Sequence, residues 1–150
     1  MKRLIADWEG SPIIRLVDPA ELRPYLSPAF TALSNFLSEH VPIQILRRRT
    51  ERENLLPTGI ILPQDCDIWL RDYHPLPIAD DGRSASGYVA FRYAPQYLER
   101  EVTGVVGLLA PNCEESDLIL DGGNLIHNGQ GTIIVTERAL SDNRLSHAAL

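Results

Sequence analysis

The sequence predicts an α/β fold, organised as a single domain over residues 1–150, and three observations predict it. Apolar stretches at 12–19 and 41–47 flank a stretch of helical period, giving strand, helix, strand. Residues 73–80 and 87–93 read as two strands joined across Asp81-Gly82, the strongest short turn signal in the chain. A buried strand at 117–120 is followed by NLIHNGQGTIIVTE, which reads as a hairpin.

Taken in order, PIIRLVDP is a short buried strand closed by a proline that can neither donate to a ladder nor extend it. Ser27 is the expected N-cap of the helix, and Pro28 fits its first turn, where a missing N–H costs nothing. Phe30, Leu33, Phe36, Leu37 and Val41 then share one apolar face. After VPIQILR, the run RRRTERE is the only basic cluster; Glu51 and Glu53 dilute it, so it reads as a solvated strand exit. LLPTGIILPQD is a proline-bounded connector. Residues 94–111 are ambiguous. Tyr97, Leu98, Val102 and Val105 fit one helix face, whereas Gly104 and Gly107 weaken it. In the last third, Asn128-Gly129 and Gly131 supply hairpin turn chemistry, and Thr136-Glu137 opens a short helix. Ser146 reads as the N-cap of a helix that is only beginning, which suggests a domain continuing past Leu150.

Composition narrows the function classes. With 44% hydrophobic and 23% charged residues the chain is an ordinary globular one, and its net charge of −6 argues against nucleic-acid binding. An acidic surface suits a cationic small molecule better. No stretch has signal-peptide or membrane-span character, and Cys66 and Cys113 form neither a CxxC motif nor a disulfide framework. A cytoplasmic setting is the expectation. His40, His74, His127 and His147 are scattered without metal-ligand spacing, so neither a metal nor another cofactor is expected.

The densest chemistry lies in DCDIWLRDYHPLPIADDG. Asp65, Asp67 and Asp72 crowd together with Trp69 and Arg71, and a strand seeking only burial would avoid such charge. The bland alternative is an exposed loop in which Arg71 and Asp72 make local ion pairs. A second dense segment, DLILDGGNLIHNGQG, places Asp121 at the end of a strand directly before Gly122 and Gly123. Asp121 as a simple turn former and Trp69 as a core residue are the corresponding alternatives there.

Together DIWLRDYHPLPI and LDGGNLIHNGQGTIIVTERAL resemble the agmatine deiminase and bacterial-type peptidylarginine deiminase family of guanidine-modifying enzymes. The first is similar to that family's D-x-W-x-R-D motif, the second to its [ED]-G-G segment and following G-T hairpin. RLIADWE and the approach to PIIRLVDP look like its N-terminus, so the likeness runs over nearly the whole chain. The resemblance implies a pseudo-fivefold α/β propeller (a pentein), of which this chain would be the N-terminal portion, roughly two ββαβ blades. It implies hydrolysis of a guanidinium to a ureido group with release of ammonia, agmatine giving N-carbamoylputrescine. Asp72 matches the guanidinium-binding aspartate, Trp69 its aromatic neighbour, and Asp121 a second guanidinium-binding carboxylate that is often Glu. Gly122 and Gly123 would let the backbone approach the substrate. The residue chemistry agrees, because a guanidinium is a flat cation whose N–H fork matches carboxylates and whose face suits an aromatic wall.

The family's chemistry also needs a cysteine thiolate that attacks the guanidinium carbon and an H-x-D histidine that shuttles protons. The chain has no H-x-D. Cys66 and Cys113 lack a sequence neighbour that would lower a thiol pKa, and His74 and His127 read as packing residues. The expectation is therefore a chain that binds a guanidino small molecule or arginine side chain, is silent in catalysis by itself, and self-associates through uncovered sheet edges. Three alternatives stay open: a peptidyl-arginine deiminase, a non-catalytic guanidinium-binding or assembly module, and a glycoside-hydrolase carboxylate pair.

Overall fold

Short apolar strands and one-turn helices dominate the computed structural model, which describes residues 2–6, 9, 13–48, 60–63, 66–80, 85–95, 105–110 and 112–146. In chain order these residues form β1 (Arg3–Leu4), β2 (Ile14–Val17), α1 (Ser27–Ser38), β3 (Ile43–Arg48), β4 (Ile61–Leu62), α2 (Leu70–Tyr73) and β5 (Leu76–Ala79). They continue with β6 (Gly87–Arg92), α3 (Val106–Leu109), β7 (Cys113–Ile119), β8 (Leu125–His127), β9 (Ile133–Val135) and α4 (Arg138–Asp142). The mixture of sheets and helices bears out the α/β expectation. The chain divides into two compact units, Gly10–Leu70 and Met1–Glu9 with Arg71–Leu150.

In the Gly10–Leu70 unit, β2 pairs in parallel with β3 and β3 with β4, with Leu16 opposite Ile45 and Val17 opposite Leu46. The expected strand, helix, strand unit is therefore present, with Leu46, Leu62 and Cys66 in its interior. The helix departs from expectation in two ways. Ser27 lies inside α1 rather than capping it: a 3-10 turn, Pro24–Leu26, runs straight into the helix, and the cap position, Leu26, already has helical dihedrals and makes no side-chain cap. The apolar stripe is also only partly covered: Phe30, Leu37 and Val41 are half-buried, Leu33 is 48% and Phe36 60% exposed, and Ser34 is the buried residue of α1. Periodicity specifies a stripe; it does not specify what lies against it. Of the basic cluster, Arg47, the penultimate residue of β3, is exposed and faces Asp18 at 3.7 Å. Residues 49–53, Asp65, the Asp81-Gly82 turn, Tyr97, Leu98, Val102 and Gly104 lie outside the described residues.

The other unit is built on a four-stranded sheet in the order β1-β5-β6-β7. The expected β5–β6 pair is antiparallel, and β7 returns parallel to β6 after α3, so that β5, β6, α3 and β7 run strand, strand, helix, strand. Strand β1, not anticipated from the sequence, adds to the free edge of β5. The strand expected at 117–120 is longer and not buried: Leu118 is 41% exposed, and burial begins only at Leu120, beyond the last ladder residue. The β8–β9 hairpin forms as expected, with positive φ at Gly129 and Gly131. Ser146 follows α4 outside any element, and residues 147–150 are not described.

Leu76, Leu120 and Leu125 form the core of this unit, with Leu4, Val89, Phe91, Val135 and Ala139 packed around them. Asn143 fixes α4 to the end of β7: its Nδ2 donates to the Ile119 and Ala139 carbonyls, and its Oδ1 accepts from the Ile119 N–H at 2.7 Å. Two of the three core leucines, at 120 and 125, bracket the Asp121–Asn124 turn. Leu125→Ala is expected to destabilise the chain by about 3 kcal/mol through lost burial and a residual cavity. Ile134→Ala, at a 63% exposed position, should change stability by less than about 0.5 kcal/mol. Urea unfolding of the two variants measures the difference.

Candidate functional site

The site grows from a close approach of two segments distant in sequence. Helix α2 carries Arg71 and Asp72, and the 3-10 turn Gly122–Asn124 meets them within the same unit. Arg71 donates from Nε to the Gly122 carbonyl at 3.2 Å and from Nη2 to the Leu125 carbonyl at 3.5 Å. Asp72 Oδ1 accepts the Gly123 N–H at 3.1 Å. Arg71 and Asp72 thus both make contacts that reach across the unit, which a purely local loop would not.

This approach explains the two glycines. A Cβ at position 122 would overlap the Arg71 carbonyl oxygen, and one at 123 would overlap Asp72 Oδ1. The backbone does come close here, but what it approaches is the Arg71–Asp72 segment. Gly122→Ala meets rigid backbone and should cost about 2 kcal/mol. Gly123→Ala meets a carboxylate that can rotate, so its cost in thermal unfolding should be smaller while Asp72 is turned off the Gly123 N–H. Equal melting temperatures for the two variants would contradict this geometry.

Asp121 precedes the turn with extended dihedrals, and its carbonyl accepts the Asn124 N–H at 2.8 Å. Its Oδ2 accepts Asn124 Nδ2 at 3.2 Å and faces Arg138 Nη1 at 3.4 Å, and its side chain is 15% exposed. Burial raises the Asp121 carboxyl above its ordinary range; the Arg138 charge opposes that rise and the Asp142 charge adds to it. The Asp72 carboxylate thus contacts the Asp121–Asn124 turn at Gly123, and the Asp121 carboxylate contacts it at Asn124. The simple turn-former reading of Asp121 leaves its burial and its Arg138 contact without a role.

The remaining candidates fall elsewhere. Trp69 belongs to the Gly10–Leu70 unit and is 57% exposed, which does not fit a core residue. Asp67, in the same unit, caps the Ile68 N–H and faces Arg23 at 3.8 Å. Cys66 is buried, and burial together with Glu115 and Glu114 pushes the Cys113 thiol up, away from thiolate character. His74 Nδ1 lies 2.7 Å from the Pro75 carbonyl, and His127 is buried. Sequence reasoning missed Asn124, Arg138 and Asp142. The Arg138–Asp142 spacing of four residues was the available signal.

The chain is thus an α/β protein in which two carboxylates contact one turn. The Porphyromonas-type peptidyl-arginine deiminase family model matches residues 14–149, and the chain belongs to that family. The resemblance read from the W-x-R-D and D-G-G motifs is thereby borne out, and it places the chain among guanidino-modifying deiminases. No curated protein and no solved structure matches it.

The raised Asp121 pKa has a consequence for stability. An acid whose folded pKa exceeds its unfolded one disfavours folding while ionised; that cost is full above the folded pKa and vanishes below the unfolded one. Asp121→Asn should therefore raise the melting temperature at pH 7, with the gain fading as pH falls through the carboxylate range. A lower melting temperature at pH 7 would mean that the Arg138 and Asn124 contacts outweigh desolvation.

Proposed function

We propose that Asp72, Asp121 and the Gly122-Gly123 turn form the guanidinium seat of a guanidine deiminase whose substrate is agmatine. The observation that carries this reading is the placement of both carboxylates around one turn. In the reaction a water oxygen replaces one terminal amino group of the guanidinium. A carbon–nitrogen bond breaks, a carbon–oxygen bond forms, and the positive charge leaves with ammonium, giving the ureido product. A carboxylate seat holds the planar cation in place and favours its charged form until attack.

The complete fold is read as a pseudo-fivefold propeller, which the strand, strand, helix, strand order of β5, β6, α3 and β7 supports. On the motif alone, Trp69 is read as a substrate-contacting aromatic residue. A cytoplasmic setting is supported by a composition with only two cysteines. Neither cysteine has the environment of a nucleophile, so the chain on its own supplies the seat and not the attacking thiolate. The family's description favours a second reading, in which the guanidinium belongs to a peptidyl arginine.

Titration of the isotopically labelled 150-residue chain with agmatine tests this. The Gly122 and Gly123 amides should shift, putrescine should leave them unmoved, and Asp72→Asn should weaken binding about tenfold or more. No ammonia should be released. Absence of binding, or shifts confined to other residues, would refute the seat; ammonia release would place the chemistry within this chain. Tighter binding of a blocked arginine amide than of agmatine would select the peptidyl reading.

A further inference from the structure

We infer that Arg138 is the positioning residue of Asp121, holding one carboxylate oxygen so that the other is presented to the cation. This rests on the guanidinium-seat reading above and adds to it a residue that the motifs did not single out.

Asn143 fastens the end of α4 to β7 through the Ile119 N–H and carbonyl, and Leu140 is buried beneath the helix. On this fixed support Asp142 Oδ2 accepts Arg138 Nε at 3.0 Å, one helical turn away. That contact aims the guanidinium, and its Nη1 reaches Asp121 Oδ2 at 3.4 Å. Asn124 Nδ2 meets the same oxygen at 3.2 Å. Both contacts fall on Oδ2; neither uses Oδ1, the oxygen that an incoming guanidinium would take. A planar fork suits this task better than an ammonium, because it engages two carboxylates at once in fixed geometry.

The charges around Asp121 set the balance. From α4 come the Arg138 cation and the Asp142 anion. From α2 come Asp72, on the Gly123 N–H, and Arg71, whose guanidinium is directed at the Gly122 and Leu125 carbonyls. Arg138 is therefore a cation in contact with the Asp121 carboxylate, and its removal leaves a partly buried anion that also feels the Asp142 charge.

Two measurements on the full chain test the inference. In ligand-free protein, the Asp121 carboxyl carbon is followed by NMR against pH in wild type, Arg138→Gln and Arg138→Lys. Arg138→Gln should move the Asp121 titration upward, and Arg138→Lys should largely restore it. With agmatine at pH 5, Arg138→Gln should weaken binding about tenfold relative to wild type, more than at pH 7. Arg138→Lys should keep the pH dependence and lose affinity equally at both values, since charge is retained and the fork is lost. An unmoved Asp121 titration in Arg138→Gln would overturn the inference, as would tighter agmatine binding by that variant, which would make Arg138 an internal competitor for the seat. If wild type binds no guanidinium at all, the functional reading fails, while the ligand-free titration still judges Arg138. Should Arg138→Gln not fold, the Arg138→Lys arm decides on its own: an Asp121 titration moved far from wild type would refute a charge-based role.

Discussion

Everything specific about this chain depends on one backbone contact that tolerates no side chain. The Arg71–Asp72 segment and the Gly122-Gly123 turn, 51 residues apart, lie so close that a Cβ at either glycine would overlap its neighbour. Closing a loop of that length costs conformational entropy, and the return comes from side-chain contacts of Arg71 and Asp72 with backbone groups of the turn. Arg71 is used up in this role, its guanidinium directed at two carbonyls. A residue that a motif reader would assign to the site thus acts as a brace between the two segments. Beneath the turn, Leu120 and Leu125 anchor its two ends in the apolar core, so the contact cannot open without exposing them.

Electrostatics then separates the two carboxylates. Asp72 meets a backbone N–H on the turn, whereas Asp121 is drawn into partial burial where its own ionisation is disfavoured. A protein selected only for stability would not keep a desolvated anion next to Asp142. Binding sites commonly carry such a cost because a ligand of opposite charge removes it. The guanidinium of Arg138 offsets part of it, and the substrate guanidinium of the proposed reading would offset more.

Local chemistry was legible in the sequence and long-range cover was not. Asn128-Gly129 announced its hairpin, and Leu16, Phe30 and Ile45 announced strand, helix, strand, because turn conformation and periodicity are properties of neighbouring residues. Asp72, Asp121 and the glycines were found because they fall within short motifs. The exposed Leu33, Phe36 and Leu118 were misjudged for the opposite reason: an apolar side chain states a preference for burial, but only the arrangement of other elements grants it. Strand β1 escaped notice because two residues carry no period, and it exists only through the edge of β5. Arg138 was overlooked because a lone arginine on a short helix reads as surface charge until the turn that it faces has been folded against it.

The side-chain length at position 121 connects these points. The resemblance implies Glu at this position in many members; Asp121 is one methylene shorter, with about 1.5 Å less reach. A shorter side chain keeps the carboxylate against the backbone of its own turn, within range of Asn124 Nδ2 and only 15% exposed. Desolvation rises with that retreat, and so does the need for a fixed cation behind the group. Helix α4 supplies it, with Asn143 setting the helix, Asp142 setting the arginine and the arginine setting the carboxylate. A short, retracted anion and a fixed cation behind it belong together: burial disfavours the charge, and Arg138 opposes that effect.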